Sequence, residues 1–321
     1  MPKGETLHGV ELTNLDQPLF EKAGATKRNL VEYLDAVHDR MLPELVDRPL
    51  SVIRVHRGQE AFMQKNLPRY TPDWVRRTRL WSESSRRDVD YALCNDRRTL
   101  IWFANQRAVE YHPTLVQADR PESPTHLVID LDPPGADAFA MAARAAHLVR
   151  AALAEEGLEG AVKTSGSKGL HIYVPLDRPS MADVAAATRA IAQRAANLDP
   201  DIATTAFMKE DRGGRVFVDA TRVGWASVVS AYSPRARPGV PVSFPVGWEH
   251  LDDVSPGEFT IHTAVAQLGD GDPWAAQLPP PQRLSASLIE EGASIPGGRV
   301  QAMHEGKRRA RAARSDRRPA G

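Results

Sequence analysis

HLVIDLDPPG, residues 126–135, is the stretch on which the fold turns. Leu127, Val128, Ile129 and Leu131 form an apolar, β-branched run that reads as a buried strand. Pro133 and Pro134 must stop it, because proline cannot donate to a ladder. Residues two apart on a strand share a face, so Asp130 and Asp132 project side by side from its end. Carboxylates that close repel and raise each other's pKa unless something positive lies between them.

Working outward, an Ala-rich amphipathic segment at 137–157 predicts a helix, and 161–164 a short strand. The turn SGSKG (165–169) leads into a strand at 170–176, a second Ala-rich helix at 181–197 and the strand RVFVDAT (215–221). The order β-α-β-β-α-β is that of the split βαβ, ferredoxin/RRM-like fold, an α+β architecture. Its sheet runs 4-1-3-2, so the strand of Asp130 and Asp132 neighbours the one bearing Asp219 and the one opening at His171. Upstream, 27–47 has apolar positions at helical spacing up to Pro43, 49–58 alternates as a strand, and TLIWFANQ (99–106) fits either strand or helix. The expected organisation is one domain over 1–298, with a mixed α/β N-terminal lobe to about 120 and a catalytic core from 121, followed by a tail at 299–321.

The chain has 321 residues, 26% charged and 42% hydrophobic, which is ordinary for a globular protein. No apolar run approaches the roughly 18 residues of a membrane span, and MPKGETLHGVELTNL lacks a signal-peptide core. A cytoplasmic, soluble protein with no membrane partner is expected. The single cysteine, Cys94, excludes an internal disulfide and a cysteine-cluster metal site. Formal net charge is zero, but residues 299–321 hold eight Lys/Arg against two acids. Such a basic tail has no apolar period and is expected to be disordered, suited to phosphate backbones, to acidic partners or simply to solubility. A second basic cluster lies in WVRRTRLWSESSRRDVDY (74–91).

Asp130, Asp132 and Asp219 would form an all-oxygen donor set, which favours a hard cation such as Mg²⁺ or Mn²⁺. Two such ions can clamp the attacking and leaving oxygens of a phosphoryl transfer. The pair D-x-D alone also fits a solvated strand end, a helix-capping acid or a sugar-nucleotide enzyme. In KTSGSKGLH (163–171), Gly166 and Gly169 permit a nest of backbone N–H groups, while Ser165, Ser167, Lys168 and His171 can donate to phosphate. An ordinary hairpin explains the same glycines and serines. No Walker A pattern occurs. Arg222, Arg235 and Arg237 follow Asp219 as clamp or surface residues, and His112 before Pro113 is either structural or functional.

The stretches VIDLDPP, KTSGSKGLHIYVPL and RVFVDAT resemble the three motifs of the archaeo-eukaryotic primase superfamily, in its bacterial branch, the polymerase domain of DNA ligase D. The resemblance extends to LTNLDQPLFEKAGATK (12–27), FMQKNLP (62–68), FANQRAVEYHP (103–113) and AYSPRARPGVPVSFPVGWEHL (231–251). It implies that Asp130, Asp132 and Asp219 hold two Mn²⁺ or Mg²⁺ ions. It implies further that Ser165, Lys168, His171, Arg235 and His112 contact the incoming nucleotide, with Ser167 beside them and Arg222 a weaker match.

On the DNA side it implies roles for Asn14 and Lys27 at a 5'-phosphate pocket, and for Phe62, Met63 and Lys65 near the template. Gln17 and Glu21 stand where the family usually has lysine and proline, and Met63 where it has a second phenylalanine. The implied activity is a bacterial, nucleoid-associated repair polymerase. It would add nucleotides, preferably ribonucleotides, at short gaps or double-strand breaks, as a monomer working beside a separate ATP-dependent DNA ligase and the Ku protein. The alternative is a weakly catalytic module that bridges ends or recruits a ligase in end joining.

Overall fold

The computed structural model describes residues 5–56, 58–82 and 86–297; the basic tail lies outside the described residues. The N-terminal lobe opens with a two-stranded ribbon, β1 (Thr6–Leu7) and β2 (Val10–Glu11). Thr26 then caps α1 (Lys27–Ala36) through a capping box, its hydroxyl accepting from Asn29 N while the Asn29 side chain accepts from Thr26 N. The helical run does not continue to Pro43. It breaks at Val37 (φ −102°, ψ 4°), and α2 (His38–Leu45) carries Pro43 inside it, on an exposed position.

A sheet follows, built from β3 (Pro49–Arg54), β4 (Phe62–Gln64), β5 (Arg77–Ser82) and β6 (Arg87–Leu93). The ambiguous segment near residue 100 is a helix, α3 (Arg97–Asn105). Asp96 decides it by accepting from Thr99 N at 2.8 Å, an N-cap that starts a helix over an apolar stretch equally suited to a strand. The chain returns as β7 (Ala108–Pro113), antiparallel to β3, with Ser51 opposite His112.

The second half has the expected order. β8 (His126–Asp132) is followed by a 3₁₀ turn at Ala136–Ala138, α4 (Phe139–Ala154), β9 (Ala161–Thr164) and β10 (Leu170–Pro175). Then come α5 (Met181–Leu198), the two-residue β11 (Ala203–Thr204) and β12 (Val216–Asp219). The sheet runs β11-β12-β8-β10-β9, so the four strands β8, β9, β10 and β12 stand in the expected order 4-1-3-2, with β11 added parallel at the β12 edge. The Ala-rich faces of α4 and α5 are buried, because small side chains let two helices lie close over one sheet. Beyond the sheet, α6 (Pro273–Gln277) and α7 (Ala286–Ser294) close the fold, α7 lying along α5.

The two lobes share one apolar core running from Val10 to Leu288. Tyr33 of α1 donates to the Tyr232 carbonyl at 2.8 Å, stitching the lobes at a buried point. Cys94 is fully buried, and burial pushes its thiol far above the usual range, so it packs as a small hydrophobe. Among the described residues no helix is long and apolar enough to cross a membrane.

Candidate active site

The register of the second sheet sets the site. His171 lies opposite Asp130 on one side, Asp219 lies opposite Asp130 on the other, and Lys163 lies opposite His171. One cross-strand row therefore reads Lys163, His171, Asp130, Asp219 over four strands, and directly opposite residues share a face. Asp132 extends the row's acidic end by one further step along β8.

Three cations meet these acids. The Arg222 Nε stands 3.3 Å from Asp130 Oδ2 and 3.4 Å from Asp219 Oδ2. Lys168 Nζ is 2.8 Å from Asp132 Oδ1 and Arg212 Nη1 2.9 Å from Asp132 Oδ2. Thr221 adds hydrogen bonds from its N–H and hydroxyl to Asp219 Oδ1, at 2.8 and 2.6 Å. Burial pushes the Asp130 carboxyl up to about 6, with Asp219 and Asp132 adding to the rise and Arg222 opposing it. Burial would raise Asp132 as well, but Lys168 and Arg212 hold it below the usual carboxylate range.

The turn after β9 is tighter than a free anion nest. Ser165 Oγ accepts from the N–H groups of Ser167 and Gly169, both at 3.2 Å, so these amides are engaged inside the turn. A Cβ at Gly169 would stand 2.0 Å from the Leu131 carbonyl, so only glycine lets the turn lie against β8. Gly166 has φ +64°, and a Cβ there would meet Arg235 Cγ at 2.7 Å. Lys168 reaches back to the Pro133 carbonyl at 2.6 Å as well as to Asp132.

Opposite the turn stands a carboxylate that sequence reasoning missed. Glu110, two residues before His112 on β7, shares its face and is 8% exposed at the side chain. Its Oε2 is 2.8 Å from His112 Nε2 and 3.0 Å from Arg235 Nε, while Oε1 accepts from Ala236 N at 2.9 Å. The Arg235 Nε–H is not aimed at that oxygen, so this contact is an ion pair without a hydrogen bond. Arg235 also donates to the Ser165 carbonyl, spanning the cleft floor. Burial alone would raise the Glu110 carboxyl, but His112, Arg235 and the Ala236 amide bring it down to about 2. Burial lowers the His112 pKa, against the pull of Glu110.

These groups line an open cleft of about 380 Å³ that brings together His112, Asp130, Asp132, Ser165, Ser167, Lys168, His171, Arg222, Arg235 and Met63. Asp219 joins them through Arg222. Phe62, Lys65 and Met63 line an adjoining groove with Arg87, and Phe62 stacks on His56 at 5.4 Å. Asn14 and Lys27 lie elsewhere. Asn14 is exposed in the N-terminal loop with φ +53°, its carbonyl accepting from Gln17 N.

Lys27 is 2% exposed and donates to the Thr13 carbonyl and, at 3.3 Å, to the Thr13 hydroxyl. Burial, with Arg107 nearby, lowers it to about 8. It ties down the loop through Thr13. The neighbouring cavity at Gln17, Glu21, His56 and Glu60 carries two carboxylates. Arg212 too was missed: nothing local in EDRGGR distinguishes it, and only folding sets it against Asp132.

Three carboxylates and no sulfur suit a hard divalent cation, whose charge would offset the mutual repulsion of the acids. Among the described residues no group of three or more His, Cys, Asp or Glu side chains is already drawn together to hold a metal. Joint ligation by Asp130 and Asp132 requires Lys168 and Arg212 to release Asp132.

A split βαβ sheet with strand-borne acids facing a Ser/Lys/His turn and a buried arginine is the arrangement that the resemblance to primase-polymerase domains implies. The model of the LigD primase-polymerase domain family matches residues 26–274. The bifunctional non-homologous end joining protein LigD of Bacillus subtilis is 32% identical over 81% of this chain and 42% of its own length. The multifunctional LigD of Mycobacterium bovis is 34% identical over 82% of this chain and 36% of its own. The polymerase domain of Mycobacterium tuberculosis ligase D, solved in complex with DNA, superposes with a TM-score of 0.75 at 31% identity, covering 89% of this chain and 99% of that one. The chain belongs to the LigD primase-polymerase domain family, and spans less than half the length of these curated relatives.

Proposed function

We propose that this chain extends DNA primer 3'-ends in end-joining repair, copying a template across short gaps or broken ends with nucleoside triphosphates. The observation that supports it most is the convergence, in one cleft, of Asp130 and Asp132 with Lys168, Arg222, Arg235, His112, Ser165 and His171. Acids with phosphate-binding cations beside them are what a triphosphate and an attacking hydroxyl require.

In this reading the 3'-hydroxyl oxygen attacks the α-phosphorus and pyrophosphate leaves. Arg235, fixed by Glu110, and His171 offer donors to the triphosphate. Lys168 moves from Asp132 Oδ1 to a phosphate oxygen and Arg212 lets go of Oδ2, and Asp132 is thereby freed. When bound by Asp130, Asp132 and Asp219, Mn²⁺ or Mg²⁺ supplies Lewis-acid stabilisation of the attacking and leaving oxygens. Phe62 and Met63, beside the cleft and 38% and 45% exposed, offer an apolar surface for a template base. We include a preference for ribonucleotides, a separate ligase to seal the product and cooperation with Ku in this proposal.

The test is extension of a labelled primer across a short gap, with Mn²⁺ or Mg²⁺ and with ribo- or deoxyribonucleotides. Asp132→Ala is expected to abolish extension while DNA affinity stays within about twofold, since one acid at the floor of a cleft adds little to backbone contacts. Wild-type protein that binds DNA and extends nothing under any condition would instead favour the end-bridging module.

A further inference from the structure

Lys163 has no part in the mechanism so far, yet it is the most buried cation of the site, at 0% exposure. Its Nζ stands 2.9 Å from the Val229 carbonyl, 2.7 Å from Ser243 Oγ and 2.9 Å from His171 Nδ1. The carbonyl can only accept. Ser243 Oγ gives its own hydrogen to the Thr164 carbonyl at 2.7 Å, so towards Lys163 it accepts too. As an ammonium group Lys163 has three hydrogens, two for these oxygens and the third for the ring nitrogen Nδ1, and the Tyr173 ring, 5.4 Å away, offers its face to the same cation.

From this geometry we propose that Lys163 is a positioning residue for His171. By donating to Nδ1 it holds the ring as the neutral tautomer with its hydrogen on Nε2, and that nitrogen faces the cleft. Nε2 lies 3.5 Å from Asp130 Oδ1, next in the cross-strand row. A hydrogen there separates the ring from the carboxylate oxygen and makes a donor for a phosphate oxygen. The opposite tautomer would set a bare ring nitrogen against a carboxylate and remove that donor. With Lys163 donating to Nδ1, that nitrogen carries no hydrogen, so the ring holds one only on Nε2.

The consequence for nucleotide binding rests on the function proposed above, whereas the tautomer does not. The full chain is labelled with ¹⁵N-histidine, and the His171 ring is identified as the signal lost in His171→Gln. The expected wild-type pattern is a protonated Nε2 and an unprotonated Nδ1. In Lys163→Met the ring is expected to populate both tautomers, and the KM for nucleotide to rise about tenfold, the loss of one donor to a charged group.

A hydrogen on Nδ1 or on both nitrogens of the wild type overturns the proposal, and it does so even if the variant fails to fold. So does a folded Lys163→Met with the wild-type ring pattern. A wild type that extends no primer yet shows the expected ring pattern would sink the polymerase reading and leave the tautomer assignment standing.

Discussion

Glu110→Gln is the perturbation the structure lets us quantify. Glu110 holds His112, Arg235 and the Ala236 amide at once, all at or within 3.0 Å, behind the cleft. Its carboxyl falls from the ordinary 4.5 to about 2 despite burial, because these partners favour the charged form. At ~1.4 kcal/mol per pH unit, that difference corresponds to stabilisation on the order of 3 kcal/mol. Because the folded pKa is depressed, this contribution is complete above pH 4.5 and is lost as pH falls towards 2.

Urea unfolding of wild type and variant at pH 7 is therefore expected to differ by about 3 kcal/mol, with the gap narrowing below pH 4.5. The nucleotide KM should rise in the same variant, since His112 and Arg235 lose their shared anchor. Equal midpoints at pH 7, or a gap that stays constant down to pH 3, would refute the assignment.

Lys168→Ala is expected to raise the nucleotide KM about tenfold, as for a lost charge-assisted hydrogen bond, and to move the Asp132 carboxyl upward; steady-state kinetics with an unchanged KM would remove Lys168 from the triphosphate. For Lys27→Met, affinity for gapped DNA with and without a 5'-phosphate should match wild type, because the amine faces the Thr13 carbonyl; a tenfold loss for the phosphorylated gap alone would mean the amine reaches DNA. The Lys27 pKa of about 8 also predicts that wild-type stability gains as pH rises from about 8 towards 10.5, the unfolded chain then binding more protons, and that Lys27→Met lacks this gain.

Much of the core was written locally. The apolar run 127–131, the Ala-rich helices and the Pro-Pro stop are short-range signals, and the βαββαβ order they spell leaves one economical sheet order. Topology alone makes Asp219 and His171 neighbours of Asp130. Glu110 was legible too, since a residue two before His112 on a strand must share its face, but a carboxylate beside a histidine carries no signal until the arginine 125 residues later is placed.

The sequence by itself determined which residues sit on which strand face, because the two-residue period of a strand is a local property. Only the tertiary structure decided which charges meet. Arg212 on Asp132, Lys163 on His171 and Lys27 on the Thr13 carbonyl are pairings across chain separation or register. An ammonium or guanidinium on a long flexible stem goes wherever burial leaves an acceptor unsatisfied. That acceptor exists only once distant segments have packed.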